Sequence, residues 1–190
     1  MRSDCVMFIR SIAIALVLAL AACSSTAPRN PSLTQGLKGP YRLDSGDQLR
    51  ILVFGQRELT NSYTVDQSGF LSFPLVGAIP ARGRTTADME KAIAKKLKNG
   101  FLRNPDVTVE VQTFRPFFIR GAVRAPGQFP YVNGMTVENA IAIAGGFTER
   151  AAKKSVFITR HINGKVINGR LALTDPIRPG DTIRIDERLF

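Results

Sequence analysis

Residues 118–147, FIRGAVRAPGQFPYVNGMTVENAIAIAGGF, spell out a β-hairpin laid over one short helix. Residues 118–123 are apolar enough for a strand. Ala125-Pro126-Gly127 then breaks it, because proline presets φ and glycine permits a tight turn. Residues 128–132 make a short return strand before Asn133-Gly134 punctuates the chain again. Thr136 is a good N-cap, and Met135 ahead of it is placed to staple onto Ala140. Val137, Ala140, Ile141 and Ala144 follow at helical spacing, and Gly145-Gly146 supplies the C-terminal stop. An ordinary α+β core accounts for this periodicity by itself.

The spacing of particular residues adds to that reading. Gly121, Val123, Pro126, Gly127 and Phe129, then Thr136, Val137, Ala140, Ile141, Ala144, Gly145 and Gly146, form the run G-x-V-x-x-P-G-x-F … T-V-x-x-A-I-x-x-A-G-G. This run resembles the soluble-ligand-binding β-grasp (SLBB) module of bacterial polysaccharide export proteins.

Upstream, residues 49–54 form an apolar run whose two faces, Leu49/Ile51/Val53 and Arg50/Leu52/Phe54, are both partly apolar. That predicts burial on both sides, in the sheet or against a neighbouring subunit. Residues 63–65, the turn 66–69 and residues 70–73 read as a hairpin, and 74–79 as an irregular strand. Thr85 with Asp88 approximates a capping box. Met89, Ile93 and Leu97 then line one helical face, and Asn99-Gly100 ends the helix. Residues 106–113 alternate cleanly, with Val107, Val109 and Val111 inward. Tyr41-x-Leu43-x-x-Gly46-Asp47 is similar to the start of the polysaccharide export domain. So are Val65-Asp66-x-x-Gly69-Phe70-x-x-Phe73-Pro74-x-x-Gly77, and Glu90 and Leu97 ahead of Asn104-Pro105-x-Val107.

Downstream, residues 155–160 and 165–168 bracket Asn163-Gly164, a strong hairpin signal. Pro179-Gly180-Asp181 leads into a last strand, 182–186, with Ile183 and Ile185 inward. Gly180-Asp181-x-x-Arg184-Ile185 echoes Gly46-Asp47-x-x-Arg50-Ile51, and a Gly-Asp turn feeding a strand explains both copies.

The N-terminus points to a compartment. Arg2 and Arg10 lie close to Ile12–Ala22, an apolar run of 11 residues, too short at ~1.5 Å per residue to cross a ~30 Å hydrocarbon core. It fits the hydrophobic region of a secretory signal. Its end, Leu20-Ala21-Ala22-Cys23, resembles the bacterial lipobox, which implies diacylation of Cys23; a buried thiol in a short core helix is the alternative. Cys5 leaves with residues 1–22, so the mature chain keeps one cysteine and forms no intrachain disulfide. Ser24 stands where aspartate marks inner-membrane retention in lipoproteins of enteric type. The resemblance therefore gives the outer membrane, periplasmic face, as the address. Residues 23–40, with Pro28, Pro31 and Pro40, read as a tether.

Lys+Arg 26 against Asp+Glu 15 gives a net charge of +11 over 190 residues, which favours an anionic partner or simply keeps the protein soluble. Arg115, Arg120 and Arg124 cluster around the first β-grasp strand, and Lys153, Lys154 and Arg160 lie near the next. Each reads singly as solubilising charge, and as a set they are candidate contacts for an acidic polymer, a partner or anionic lipid. An export signal argues against nucleic acid. The single histidine, His161, sits beside a turn, and no histidine pair or cysteine cluster offers a transition-metal site. Gly145-Gly146 follows a helix and so makes no phosphate loop. Neither a catalytic constellation nor a cofactor is expected.

These readings combine into an α+β lipoprotein: signal peptide 1–22, tether 23–40, a small polysaccharide export domain over 41–114 and a single SLBB β-grasp domain over 115–190. By resemblance it forms a ring, a homo-oligomer, that exports exopolysaccharide or capsular polysaccharide. The implied partners are an inner-membrane polysaccharide co-polymerase and a separate outer-membrane β-barrel. The barrel is expected because the sequence stops at Phe190, without the C-terminal pore helix of longer relatives. A periplasmic adaptor lipoprotein that binds glycan or protein without conducting anything is the other reading.

Overall fold

The computed structural model describes residues 39–162 and 165–188. The expected signal, Cys23, most of the tether, Asn163-Gly164 and Phe190 lie outside the described residues. Two hydrophobic cores organise what remains, one from Leu43 to Val109 and one from Phe117 to Ile185.

The first core is built on β1 (Gln48–Val53), which lies between β2 (Asn61–Thr64) and β5 (Val107–Thr113) in an antiparallel sheet of order β2-β1-β5. Leu49, Ile51 and Val53 are buried on one face because side chains alternate along a strand. The opposite face is not covered within the protomer: Arg50 is exposed, Leu52 half-buried, and Phe54, just past the strand, is 86% exposed. A second pair, β3 (Phe70–Phe73) and β4 (Gly77–Pro80), forms a hairpin. Here the sequence expectation needs correcting. The turn at 66–69 forms, with Asp66 N–H donating to the Phe70 carbonyl at 2.8 Å, but only a single Val65–Leu71 bridge extends it. β2 pairs with β1, and β3 with β4.

Helix α1 (Thr86–Lys98) covers the buried face, its Met89, Ile93 and Leu97 fully enclosed. The capping box is complete: Thr85 Oγ1 accepts the Asp88 N–H at 3.1 Å while Asp88 Oδ2 accepts the Thr85 N–H at 3.1 Å. Those hydrogen bonds to Thr85 hold the Asp88 carboxyl below the ordinary carboxylate range. Glu90 ties the helix to the sheet by accepting the Val109 N–H at 3.0 Å.

The second core lies under a five-stranded sheet of order β7-β6-β10-β8-β9: β7 (Gly127–Phe129), β6 (Phe117–Gly121), β10 (Thr182–Ile185), β8 (Val156–Ile162) and β9 (Lys165–Leu171). β6 and β10 run parallel and every other pair antiparallel. Helix α2 (Val137–Ile143) packs Val137, Ala140 and Ile141 beneath the sheet. Its capping box joins Thr136 to Asn139, and Met135 and Ala140 are buried in one cluster. The return strand is shorter than its sequence suggests, ending at Phe129 ahead of Pro130. Ile162 opposes Lys165, the register a two-residue connection demands.

Gly121 explains its place in the motif. Its φ is +95°, and a Cβ there would stand 2.0 Å from the Ile185 carbonyl oxygen. Only glycine lets β6 approach the end of β10 that closely.

Candidate functional site

Six basic residues and one cysteine were singled out by sequence. Cys23 lies outside the described residues, and the six basic residues fall into two groups.

Arg115 and Arg160 are structural. Arg160 follows Val156 and Ile158 at alternate positions of β8, so its side chain points into the core, where the residue is 1% exposed. There it meets Asp181 through a double contact, Nε to Oδ1 at 2.8 Å and Nη2 to Oδ2 at 2.6 Å. A guanidinium so enclosed has no path to a polymer, and the contact role expected of Arg160 is withdrawn. Asp181 Oδ2 also accepts the Arg178 N–H at 2.7 Å, closing the turn that feeds β10.

The same device recurs at the junction of the two cores. Asp47, fully buried, accepts the Asp44 N–H through Oδ2 at 2.8 Å, so 44–47 and 178–181 are twin turns with Gly46 and Gly180 at positive φ. Asp47 pairs with Arg115, which also donates its backbone N–H to Oδ1 at 3.0 Å. Tyr41 donates its hydroxyl to Asp47 Oδ2 at 2.7 Å and accepts from Arg115 Nη1 at 2.9 Å. Arg115 thus lies between the turns: its Cβ packs on Gly46, and its Nε stands 2.6 Å from where a Cβ on Gly180 would be. Phe114 wedges edge-on between Tyr41 and Tyr131, at 5.0 and 5.4 Å. Arg115 therefore joins the modules, and its expected role as a polymer contact is corrected as well.

Burial, with Asp47 beside it, holds the Tyr41 phenol protonated well above the ordinary tyrosine value. The unfolded chain releases that proton once pH passes ~10, and the folded chain does not. The stabilising contribution is therefore complete below that pH and is lost as pH rises through and beyond it. Tyr63 and Tyr131, also raised by burial, act in the same sense. We expect denaturant stability to fall between pH 9.5 and 11.5 as a rough window, and Tyr41→Phe to flatten the slope. An unchanged slope in that variant would show that the junction does not carry the effect.

Arg120, Arg124, Lys153 and Lys154 are exposed. Arg124 sits where its backbone N–H donates to the Gly146 carbonyl, and Lys153 and Lys154 lie in the loop before β8. Only Arg120 lies on a strand, on the sheet face opposite α2. The register aligns it with Arg184 on β10, Phe157 on β8 and Arg170 on β9, which sequence reasoning missed. Arg170 and Arg184 lie over the Phe157 ring with Cζ 4.2 and 4.5 Å from its centroid. The neighbouring row holds Gln128, Phe118, Thr182, Thr159 and Asn168. Planar cations held over an aromatic ring, beside hydroxyls and amides, suit recognition of anionic, hydroxyl-rich ligands. Among the described residues, no group of three or more His, Cys, Asp or Glu is arranged to hold a metal ion, and no helix is long and apolar enough to cross a membrane.

Comparison with known proteins fits this two-core layout. Residues 36–112 match the polysaccharide biosynthesis/export protein family, and residues 116–169 match the SLBB domain. The chain belongs to the polysaccharide export family. Its fold is accordingly an α+β export domain followed by an SLBB domain. Within the family, the exopolysaccharide production protein ExoF of Rhizobium meliloti (strain 1021) is 30% identical over 93% of this chain and 45% of its own length. The polysialic acid transport protein KpsD of Escherichia coli is 25% identical over 82% of this chain and 30% of its own. The EPS I polysaccharide export outer membrane protein EpsA of Ralstonia solanacearum is 27% identical over 78% of this chain and 48% of its own. The chain thus spans half or less of the length of these relatives.

Proposed function

We propose that this export-family chain is a periplasm-facing outer-membrane lipoprotein that guides exopolysaccharide or capsular polysaccharide out of the cell. The observation that carries the reading is the adjacent pair of family matches, export domain then SLBB, in the order shared with relatives named for polysaccharide production, transport and export. In this reading residues 1–22 are a signal, Cys23 is lipidated, and 23–40 tether the export domain (41–114) and the β-grasp domain (115–190) to the membrane. An inner-membrane polysaccharide co-polymerase supplies the polymer and a separate β-barrel opens the outer membrane.

Assembly into a ring goes through the export domain. Arg50, Leu52 and Phe54 leave one face of β1 uncovered, and a phenyl ring 86% exposed to water is stabilised by burial against a second copy.

The test is a deletion strain assayed for secreted and retained polysaccharide, complemented with the wild-type chain or with Cys23→Ser. Secretion should be lost on deletion and restored by the wild type. The Cys23→Ser chain should lose lipid label and leave the outer-membrane fraction. Undiminished secretion in the deletion strain would overturn the export role, and unchanged labelling in the variant would overturn the anchor.

A further inference from the structure

The open face of the five-stranded sheet carries a feature that neither core packing nor the domain junction uses. Its strand positions pointing away from α2 are Gln128, Phe118, Arg120, Thr182, Arg184, Phe157, Thr159, His161, Val166, Asn168 and Arg170. No carboxylate is among them. Asp186, past the end of β10, reaches Arg184: its Oδ1 lies 3.1 Å from Arg184 Nε with both side chains nearly half exposed. Arg120, Arg184 and Arg170 therefore stand in one row with little to neutralise them.

We propose that this face binds an extended glycan bearing carboxylates, lying across the strands along the Arg120–Arg170 row. The proposal rests on the export reading and names the polymer class that this domain would hold. From β6 to β9 the row crosses three interstrand spacings, about 14 Å, a track rather than a pocket for one sugar. Each guanidinium offers a planar fork that matches a carboxylate. Phe157 holds two of them against its ring, which limits the rotamer freedom lost on binding. Phe118, 43% exposed in the adjacent row, offers an apolar surface to the C–H face of a pyranose, and Thr182, Thr159 and Asn168 lie beside it with hydroxyl and amide groups. The row of hydrogen-bonding groups favours a glycan over a bilayer, since an anionic membrane is better met by an apolar wedge ringed with cations.

The experiment measures binding of the full chain, solubilised in detergent, to oligogalacturonate, with dextran, polyglutamate and anionic phospholipid vesicles as comparison probes. Oligogalacturonate should bind with an affinity that falls with salt, and dextran should not. Arg120→Gln/Arg170→Gln should weaken oligogalacturonate at least about tenfold, because each loses a charge-assisted contact. Lys95→Gln/Lys98→Gln, which removes equal charge from exposed positions of α1, should change it less than about twofold. Arg120→Lys/Arg170→Lys keeps the charge and an exposed aliphatic stem, so it guards against misfolding. Its severalfold loss would mark the planar fork. Equal binding of polyglutamate, preference for vesicles, equal loss in the Lys95/Lys98 variant, or no binding by the wild type would each overturn the proposal. Secretion lost on deletion but supported fully by the Arg120/Arg170 variant, with binding unchanged, would remove this site and leave the export role standing. Specific binding alongside undiminished secretion in the deletion strain would do the reverse.

Discussion

Replacing Arg160 with alanine is expected to destabilise the β-grasp domain by roughly 3–5 kcal/mol, because it strands a carboxylate in the core. Asp181 is fully buried, and the Arg160 fork meets its two carboxylate oxygens at 2.8 and 2.6 Å. Attraction between the two charges repays their loss of hydration only while both are present. The domain is small, so a loss of this size corresponds to a fall in its melting temperature on the order of 15 °C or more. Asp181→Ala should cost at least as much, since it also frees the Arg178 N–H that closes the turn. Replacing both partners with apolar residues should recover part of the loss but not all, because that turn bond stays missing. A double-mutant cycle by denaturant titration separates the terms. A single-variant loss under about 1 kcal/mol would mean that water reaches Asp181.

That arginine also shows where sequence reading stops. Helix α1 was legible from its own residues, because the Thr85–Asp88 cap and the Met89/Ile93/Leu97 spacing are local signals. The Gly145-Gly146 stop and the alternation of β5 were legible for the same reason. β2 is different. Its partner was chosen by the core, which places β1 between β2 and β5, and nothing within residues 61–73 encodes that. Arg160 carried a usable signal: it continues the inward alternation of Val156 and Ile158, and Gly180-Asp181 repeats Gly46-Asp47. Its charge is a signal against burial and its place in the alternation a signal for it, and only the partner at Asp181 decides between them. The cationic row could not be read at all, since Arg120, Phe157, Arg170 and Arg184 become neighbours only through the registers of four strands.

The twin of that buried pair should fail differently. Asp47→Ala is expected to loosen the contact between the two cores as well as to destabilise the first, by about 3 kcal/mol or more. One carboxylate accepts from the Tyr41 hydroxyl, the Asp44 N–H, the Arg115 N–H and the Arg115 guanidinium. Without it, Arg115 keeps only its bond to the Tyr41 hydroxyl and the longer contact to Asp44 at 3.6 Å, and Tyr41 loses the acceptor that orients it edge-on to Phe114. The wedge of Phe114 between Tyr41 and Tyr131 then rests on dispersion alone. Asp181→Ala, by contrast, leaves the Tyr41–Asp47–Arg115 contacts in place and acts within one core. Calorimetry should therefore show the first domain melting earlier and apart from the second in Asp47→Ala, and limited proteolysis should gain a cut near 113–116. Arg115→Ala should give the same new cut, since it removes the same junction from the other side. If both variants melt in one transition and stay uncut, the two domains are held together by something other than this junction, and Arg115 is then a passenger there.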